Sequence, residues 1–317
     1  MSRSLPFHCC AVALIPLLAA AALMTGALDW QQLQSSDHQQ VLSQYRVPRI
    51  LLAILAGAGL GLSGAMLQTI TRNPLASPDI IGITQGAGLA ATALLIYLPT
   101  ISFLWLLPAA ISGALFAAVA IWWLGRQLQS QPAKLVLVGI AMATFLGAIT
   151  DWLLTLNTMQ INSALVWLTG SLWGRGWHHI NLLLPSLLIL LPLALSFAYR
   201  LDLLALGDEA ASSLGTSVKR IRVQALSCSV MLAAVSVAVC GTISFIGLVA
   251  PHLARLLVGS RHKYLLPYSA ITGALLLLLA DTLARGLMPP IELPAGLITA
   301  MIGAPYFLFL LSRYRGW

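Results

Sequence analysis

Long apolar stretches alternate with short polar ones along nearly the whole chain, near residues 7–28, 50–70, 80–98, 103–124, 135–156, 180–199, 224–241, 243–258, 265–284 and 294–312. About 20 apolar residues at 1.5 Å rise cross the roughly 30 Å hydrocarbon core of a bilayer. The pattern therefore predicts an all-α, polytopic integral membrane protein with about ten transmembrane helices and short loops. Residues 1–317 read as a single membrane domain, with no room for a sizeable soluble one. The eighth window is the weakest, being short and broken by Pro251.

Composition agrees with this reading: 59% of the 317 residues are hydrophobic and 8% charged, against about 25% charged in soluble domains. The net charge of +8 would suggest nucleic acid in a soluble protein, but here the placement of Lys and Arg sets topology instead. With the N-terminus in the cytoplasm, Arg3, Arg72, Arg126, Lys134, Arg200, Lys219, Arg220, Arg222, Arg255, Arg261, Lys263, Arg313 and Arg315 lie inside. Only Arg46, Arg49, Arg175 and Arg285 lie outside. This positive-inside bias predicts that both termini are cytoplasmic. Cys9, Cys10, Cys228 and Cys240 lack metal-ligand spacing and sit in apolar segments, where a thiol acts as a small hydrophobe. The run that follows Arg3 is long enough for a retained first span rather than a secretory signal.

Residues 241–255 interrupt a membrane-grade apolar sequence with glycine, proline, histidine and arginine. A proline in hydrocarbon deletes a donor, and this is tolerated where protein or a water-lined cavity re-satisfies its neighbours. The segment predicts helices packed around a pathway, with Pro251-His252 a helix break rather than a metal ligand. The inner connection, 200–222, places Asp208 and Glu209 at the start of a short helix, Gly215 as its stop, and Thr216-Ser217 opening another. Two short surface helices joined at a glycine would form a docking knob. The outer connection, 29–48, is polar and glutamine-rich. On the same side, 148–179 carries Asn157, Asn162, Trp167, Gly170, Trp173, Gly174, Arg175, Trp177, His178 and His179. This region reads as an interfacial aromatic belt or part of a pathway mouth. Gly57, Gly59, Gly61 and Gly64 recur at short steps, so helices can approach closely there.

Taken in order, several segments resemble the FecCD family: Arg46-Val47-Pro48-Arg49, Gly64-Ala65-Met66-Leu67-Gln68, Asn73-Pro74-Leu75-Ala76-Ser77-Pro78, residues 241–255, Leu279-Ala280-Asp281, Glu292-Leu293-Pro294-Ala295-Gly296 and Gly303-Ala304-Pro305. Within the family, 168–175 and 201–208 are most similar to ferric dicitrate members. The resemblance implies a ten-helix permease of a bacterial inner-membrane importer for iron chelates. It implies pairing with a second FecCD-type permease, a distinct homologous chain, and with two ATP-binding subunits and a periplasmic substrate-binding protein. Membrane lipid surrounds such a chain, and neither a nucleic acid partner nor a cofactor is implied. The sequence lacks a Gly-x-x-x-x-Gly-Lys-Ser/Thr phosphate loop, so ATP hydrolysis falls to another chain and this one is not an enzyme.

The resemblance also assigns roles. Arg46, Arg49 and Arg285 match positions that meet acidic residues of the binding protein, as exposed guanidinium forks would suit. Lipid phosphates or local pairing are the alternatives, and Asp281, one helical turn before Arg285, is placed to neutralise it. Asp208, Glu209, Ala210, Leu214 and Gly215 match the coupling helices that sit in a groove of the ATPase. The resemblance places the fifth helix along the translocation path, which makes Asp151 and Asn157 pathway candidates. An intramembrane carboxylate such as Asp151 is either functional or satisfied by Thr150, Trp152 or a neighbouring helix. A proton-coupled secondary transporter using Asp151 and Asp281 is the rival reading, and a membrane enzyme using His178, His179 and Asp151 a weaker one.

Overall fold

The computed structural model describes residues 5–25, 36–125, 132–157 and 161–313. They form α1 (Leu5–Met24), α2 (Ser36–Val41) with a π-turn at Leu42–Arg46, α3 (Val47–Thr71), α4 (Ile83–Tyr97), α5 (Leu106–Gly125), α6 (Pro132–Leu156) and α7 (Ile161–Leu168). The second half holds α8 (Trp177–Ser196), α9 (Ala198–Ala205), α10 (Asp208–Ser213), α11 (Val218–Cys240), α12 (Ile246–Val258), α13 (His262–Gly286) and α14 (Ala295–Arg313). Among the described residues there is no strand, and each of the ten apolar windows holds a helix. Seven are long and apolar enough to cross a membrane: α3 with the turn before it, α5, α6, α8, α11, α13 and α14. Leu14–Met24 of α1, α4 and α12 are shorter.

Helix α3 is the axis of the bundle, wrapped by α8, α11, α12 and α13. Its glycines make this possible. A Cβ at Gly57 would collide with the Gly273 carbonyl, one at Gly61 with that of Ser269, and one at Gly64 with that of Gly247. The small-residue stripe thus brings α3 against the backbones of α12 and α13. By contrast, α5, α6, α8 and α14 leave most of their apolar surface uncovered, including Phe116, Phe145, Ile189 and Met301. Exposed apolar area on this scale is stable only against lipid or another protein.

The break at 241–255 has a physical explanation in the packing. Gly241, at positive φ, ends α11, and Phe245, also at positive φ, opens α12. Between them Thr242 Oγ1 donates to the Leu168 carbonyl, and Phe245 N–H donates to Asp79 Oδ2 at 3.2 Å. Pro251 lies inside α12 and removes the N–H that would meet the Gly247 carbonyl. That carbonyl abuts Gly64, Gln68 Nε2 donates to the Leu248 carbonyl, and Thr272 Oγ1 donates to that of Ala250. Two carbonyls beside the break are thus met by side chains of neighbouring helices. His252 stacks edge-on against Tyr306, and the described residues contain no cluster able to hold a metal. Of the expected aromatic belt, Trp173 and Trp177 are exposed but Trp167 is buried in the core.

Candidate functional site

Arg49 and Arg72 bound α3 and lie about 34 Å apart along its axis, from 23 residues at 1.5 Å each, enough to cross the roughly 30 Å hydrocarbon core. Each anchors a different polar cluster. At the first end, Arg49 holds Asp281 in a forked contact, with Nε at 2.9 Å and Nη2 at 2.8 Å from Oδ1, while Nη1 reaches Glu292 at 2.5 Å. Arg285 Nε lies 3.2 Å from Asp281 Oδ2, one turn along α13, and Nη1 donates to the Thr25 carbonyl. Arg46 Nη1 donates to the Leu23 carbonyl at 2.6 Å.

This arrangement corrects the expectation of exposed guanidinium forks: Arg46 and Arg49 are 7% exposed, Arg285 is 3% and Asp281 is 0%. The cause is local. A fully buried carboxylate would be costly alone, so Asp281 draws in Arg49 and Arg285, and the arginines seal α1, α3 and α13 together. The local pairing of Asp281 with Arg285 is as the sequence suggested. Three arginines against Asp281 and Glu292 leave a net charge of 3 − 2 = +1 at this end.

At the opposite end, Arg72 closes α3 in a left-handed conformation, φ 51°, which turns the chain and aims its guanidinium at Asp208. Asp208 is bonded by both Arg72 and Arg222, the latter at 2.9 Å. Beyond it Glu209, Ala210, Leu214 and Gly215 are exposed, with Leu214 61% exposed. Of the two short surface helices expected here, one forms: α10, reached through Gly207 (φ 110°) from α9, which packs on α3, α8 and α13 with Leu201, Leu203 and Leu204 buried, so the projecting knob is α10 with the turn after it. Gly215 (φ 76°) instead links α10 to α11, and Thr216-Ser217 opens that long span rather than a second short helix. The reason is that α11 begins with Lys219-Arg220-Ile221-Arg222, continuing the membrane helix past its apolar window into the polar zone.

A second tether, which sequence reasoning missed, joins the base of the knob to the spans. Asp202 Oδ1 of α9 accepts from the His262 backbone N–H at 3.0 Å and meets His262 Nδ1 at 2.6 Å. His262 Nε2 lies 2.7 Å from Thr69 Oγ1. This one chain of hydrogen bonds links α9, α13 and α3. Nearby, Arg255 donates to Gln68 Oε1 at 3.1 Å. The sequence signal for these contacts was faint: an acid, a histidine and a threonine far apart in the chain.

The pathway candidates lie elsewhere. Asp151 is exposed on α6, and no neighbouring helix among the described residues satisfies it. On the same exposed stripe, at steps of three and four, are Ala141, Thr144, Ala148 and Thr155. Asn157 follows the end of α6, its Nδ2 donating to the Leu153 carbonyl at 2.9 Å. His179 Nδ1 accepts from the Gly176 N–H at 3.1 Å and so caps α8.

A model of the FecCD transport family matches residues 9–313. The Fe(3+)-citrate import system permease protein YfmE of Bacillus subtilis is 52% identical over 279 residues, covering 87% of this chain and 84% of that protein. The Fe(3+) dicitrate transport system permease protein FecD of Escherichia coli is 47% identical over 294 residues, covering 93% and 90% respectively. A solved structure described as an inward-facing conformation of a metal-chelate type ABC transporter superposes with a TM-score of 0.84 at 32% identity, covering 95% of this chain and 98% of that one. A chain of PsaBC from Streptococcus pneumoniae, at TM-score 0.60 and 19% identity over 83% of this chain and 89% of that one, shares the fold. On a match that runs almost from end to end, the chain belongs to the FecCD transport family.

Proposed function

We propose that this chain is the membrane-spanning permease subunit of an ATP-binding-cassette importer in the bacterial inner membrane, moving an iron(III) chelate of the ferric dicitrate or siderophore class. The observation that carries the reading is the exposed α10 knob on its packed α9 base, tied into the core by Asp208 with Arg72 and Arg222 and by Asp202 of α9 with His262 and Thr69. A protruding piece fixed to several spans is suited to being pushed, so that motion imposed outside the membrane reaches α3, α11 and α13 together. The identities to citrate permeases supply the substrate class.

On this reading two ATP-binding subunits grip Glu209, Ala210, Leu214 and Gly215 from the cytoplasm, and both termini lie on that side. A periplasmic binding protein docks at the opposite end, drawn by the surplus positive charge around Arg46, Arg49 and Arg285. A second, homologous permease covers the exposed α6 face, and Asp151 with Asn157 borders the path between the two. A wide path with few convergent polar groups suits a large polar chelate that must be released. The proton-driven alternative gains no support from Asp281, whose two oxygens are both occupied by arginines.

The test is co-purification of the chain with a candidate ATP-binding subunit co-expressed from the same organism. Wild type retains that subunit, and Leu214→Arg, which changes an exposed side chain only, loses it while staying monodisperse in detergent. Retention by Leu214→Arg equal to wild type contradicts the docking role of the knob.

A further inference from the structure

Beside α10 the chain forms a half-open cavity of about 380 Å³, within the roughly 300–1,000 Å³ of small-molecule sites. Its walls are apolar, formed by Ile70, Ile83, Ile121, Leu226 and Val230 from α3, α4, α5 and α11. Its mouth is not: Trp122, Asp208, Lys219 and Arg222 surround it. Counting Arg72, which is bonded to Asp208, three basic side chains face one carboxylate there, a surplus of 3 − 1 = +2. Asp208 engages Arg72 and Arg222, whereas Lys219 is exposed and has no ion pair among the described residues.

The dimensions narrow the occupant. From Lys219 at the mouth to Val230 at the deep end, α11 advances about 17 Å at 1.5 Å per residue, close to one leaflet of a roughly 30 Å hydrocarbon core. Trp122 stands at the level where tryptophan favours the membrane interface. An apolar slot one leaflet deep, with a basic and aromatic rim, has the chemistry of a phospholipid site: acyl chain inside, anionic headgroup on the lysine and arginine. A free phosphate would need the rim but not the slot.

We infer that this cavity binds an anionic phospholipid from the leaflet on the knob side, its headgroup held by Lys219 and Arg222 and an acyl chain lying between α3, α5 and α11. Because Asp208 and Ser212 of α10 help to line the cavity, the lipid also wedges the knob against the spans. The site would make the mobility of the knob depend on membrane charge, independently of which chelate is carried.

The test uses the full chain in phosphatidylcholine vesicles containing a minor fraction of phosphatidylglycerol with a photoactivatable acyl chain, the labelled peptides being mapped by mass spectrometry. Labelling concentrates on the α5 and α11 wall residues, and the same tail on phosphatidylcholine labels them far less. Lys219→Gln lowers the labelling about fivefold, the factor expected for one basic residue near an anionic surface. Arg220→Gln, at an exposed position outside the cavity lining, leaves it unchanged. Val223→Trp, at a partly exposed lining position, blocks it by filling the slot. Equal labelling by the two headgroups, an equal effect of Arg220→Gln and Lys219→Gln, or loss of labelling when the ATP-binding subunit is added would each overturn the proposal. The last result would give the cavity to that subunit.

Discussion

Replacing Arg49 with methionine is the sharpest probe of the buried ion cluster, because one side chain there satisfies two acids. Asp281 has no solvent exposure and loses its forked partner, keeping only Arg285 at 3.2 Å. Removing one member of a buried pair costs about 3–5 kcal/mol, since the survivor is left as an uncompensated charge. The Glu292 arm adds little, about 0–1 kcal/mol, because that carboxylate is partly exposed and water can replace the arginine. Arg49→Lys keeps the charge but not the fork, so it falls between wild type and Arg49→Met. Unfolding in mixed micelles, followed by the fluorescence of the nine tryptophans, measures the loss. The double variant Arg49→Met/Asp281→Asn should cost less than the sum of the single changes by about 2–3 kcal/mol, as expected for contacting residues. Additivity to within about 0.5 kcal/mol would refute the coupling and return Arg49 to the role of a free docking charge.

Gly64→Ala should destabilise the fold by at least the roughly 1–3 kcal/mol of overpacking, since the new methyl meets the rigid Gly247 carbonyl; unchanged thermal stability in detergent would show that α3 and α12 can part freely. Gly215→Val places a β-branched residue at φ 76°, a local strain of about 1–2 kcal/mol, and should lower uptake per ATP hydrolysed while the protein remains folded; a normal ratio would argue against transmission through the link from α10 to α11. His262→Ala severs the Asp202–Thr69 link and should also lower that ratio, with a stability cost of about 1–3 kcal/mol for buried groups left unpaired; uptake and hydrolysis falling in parallel would make the link merely structural. Asp151→Asn, at an exposed position, should leave the stability of the isolated chain within about 0.5 kcal/mol and slow chelate uptake in the assembled transporter; unaltered uptake removes Asp151 from the path.

Much of this architecture was readable from the chain, and the reasons differ by feature. The apolar windows located helices because hydrocarbon leaves the backbone few choices. The α3 glycines announced close approach, though not which helices would come near. Pairing between distant positions was less legible. The Asp281–Arg285 contact follows from one helical turn, whereas Arg49–Asp281 and Asp202–His262–Thr69 depend on tertiary placement that periodicity does not carry. The same limit explains why Arg49 read as exposed: a sequence marks a charge at a helix end but not the distant acid that folds against it. The knob was recognised, yet its hinge was displaced from Gly207 to Gly215 because both glycines flank a short polar helix.

As proposed above, the chain is a passive gate worked through its knob by an ATP-hydrolysing partner. Uptake of radiolabelled ferric citrate into proteoliposomes is the decisive assay. No uptake is expected from this chain alone, and uptake should survive a proton ionophore once the partner permease, the ATP-binding subunits, the binding protein and ATP are supplied. Ionophore-sensitive accumulation by the isolated chain, without ATP, would contradict it.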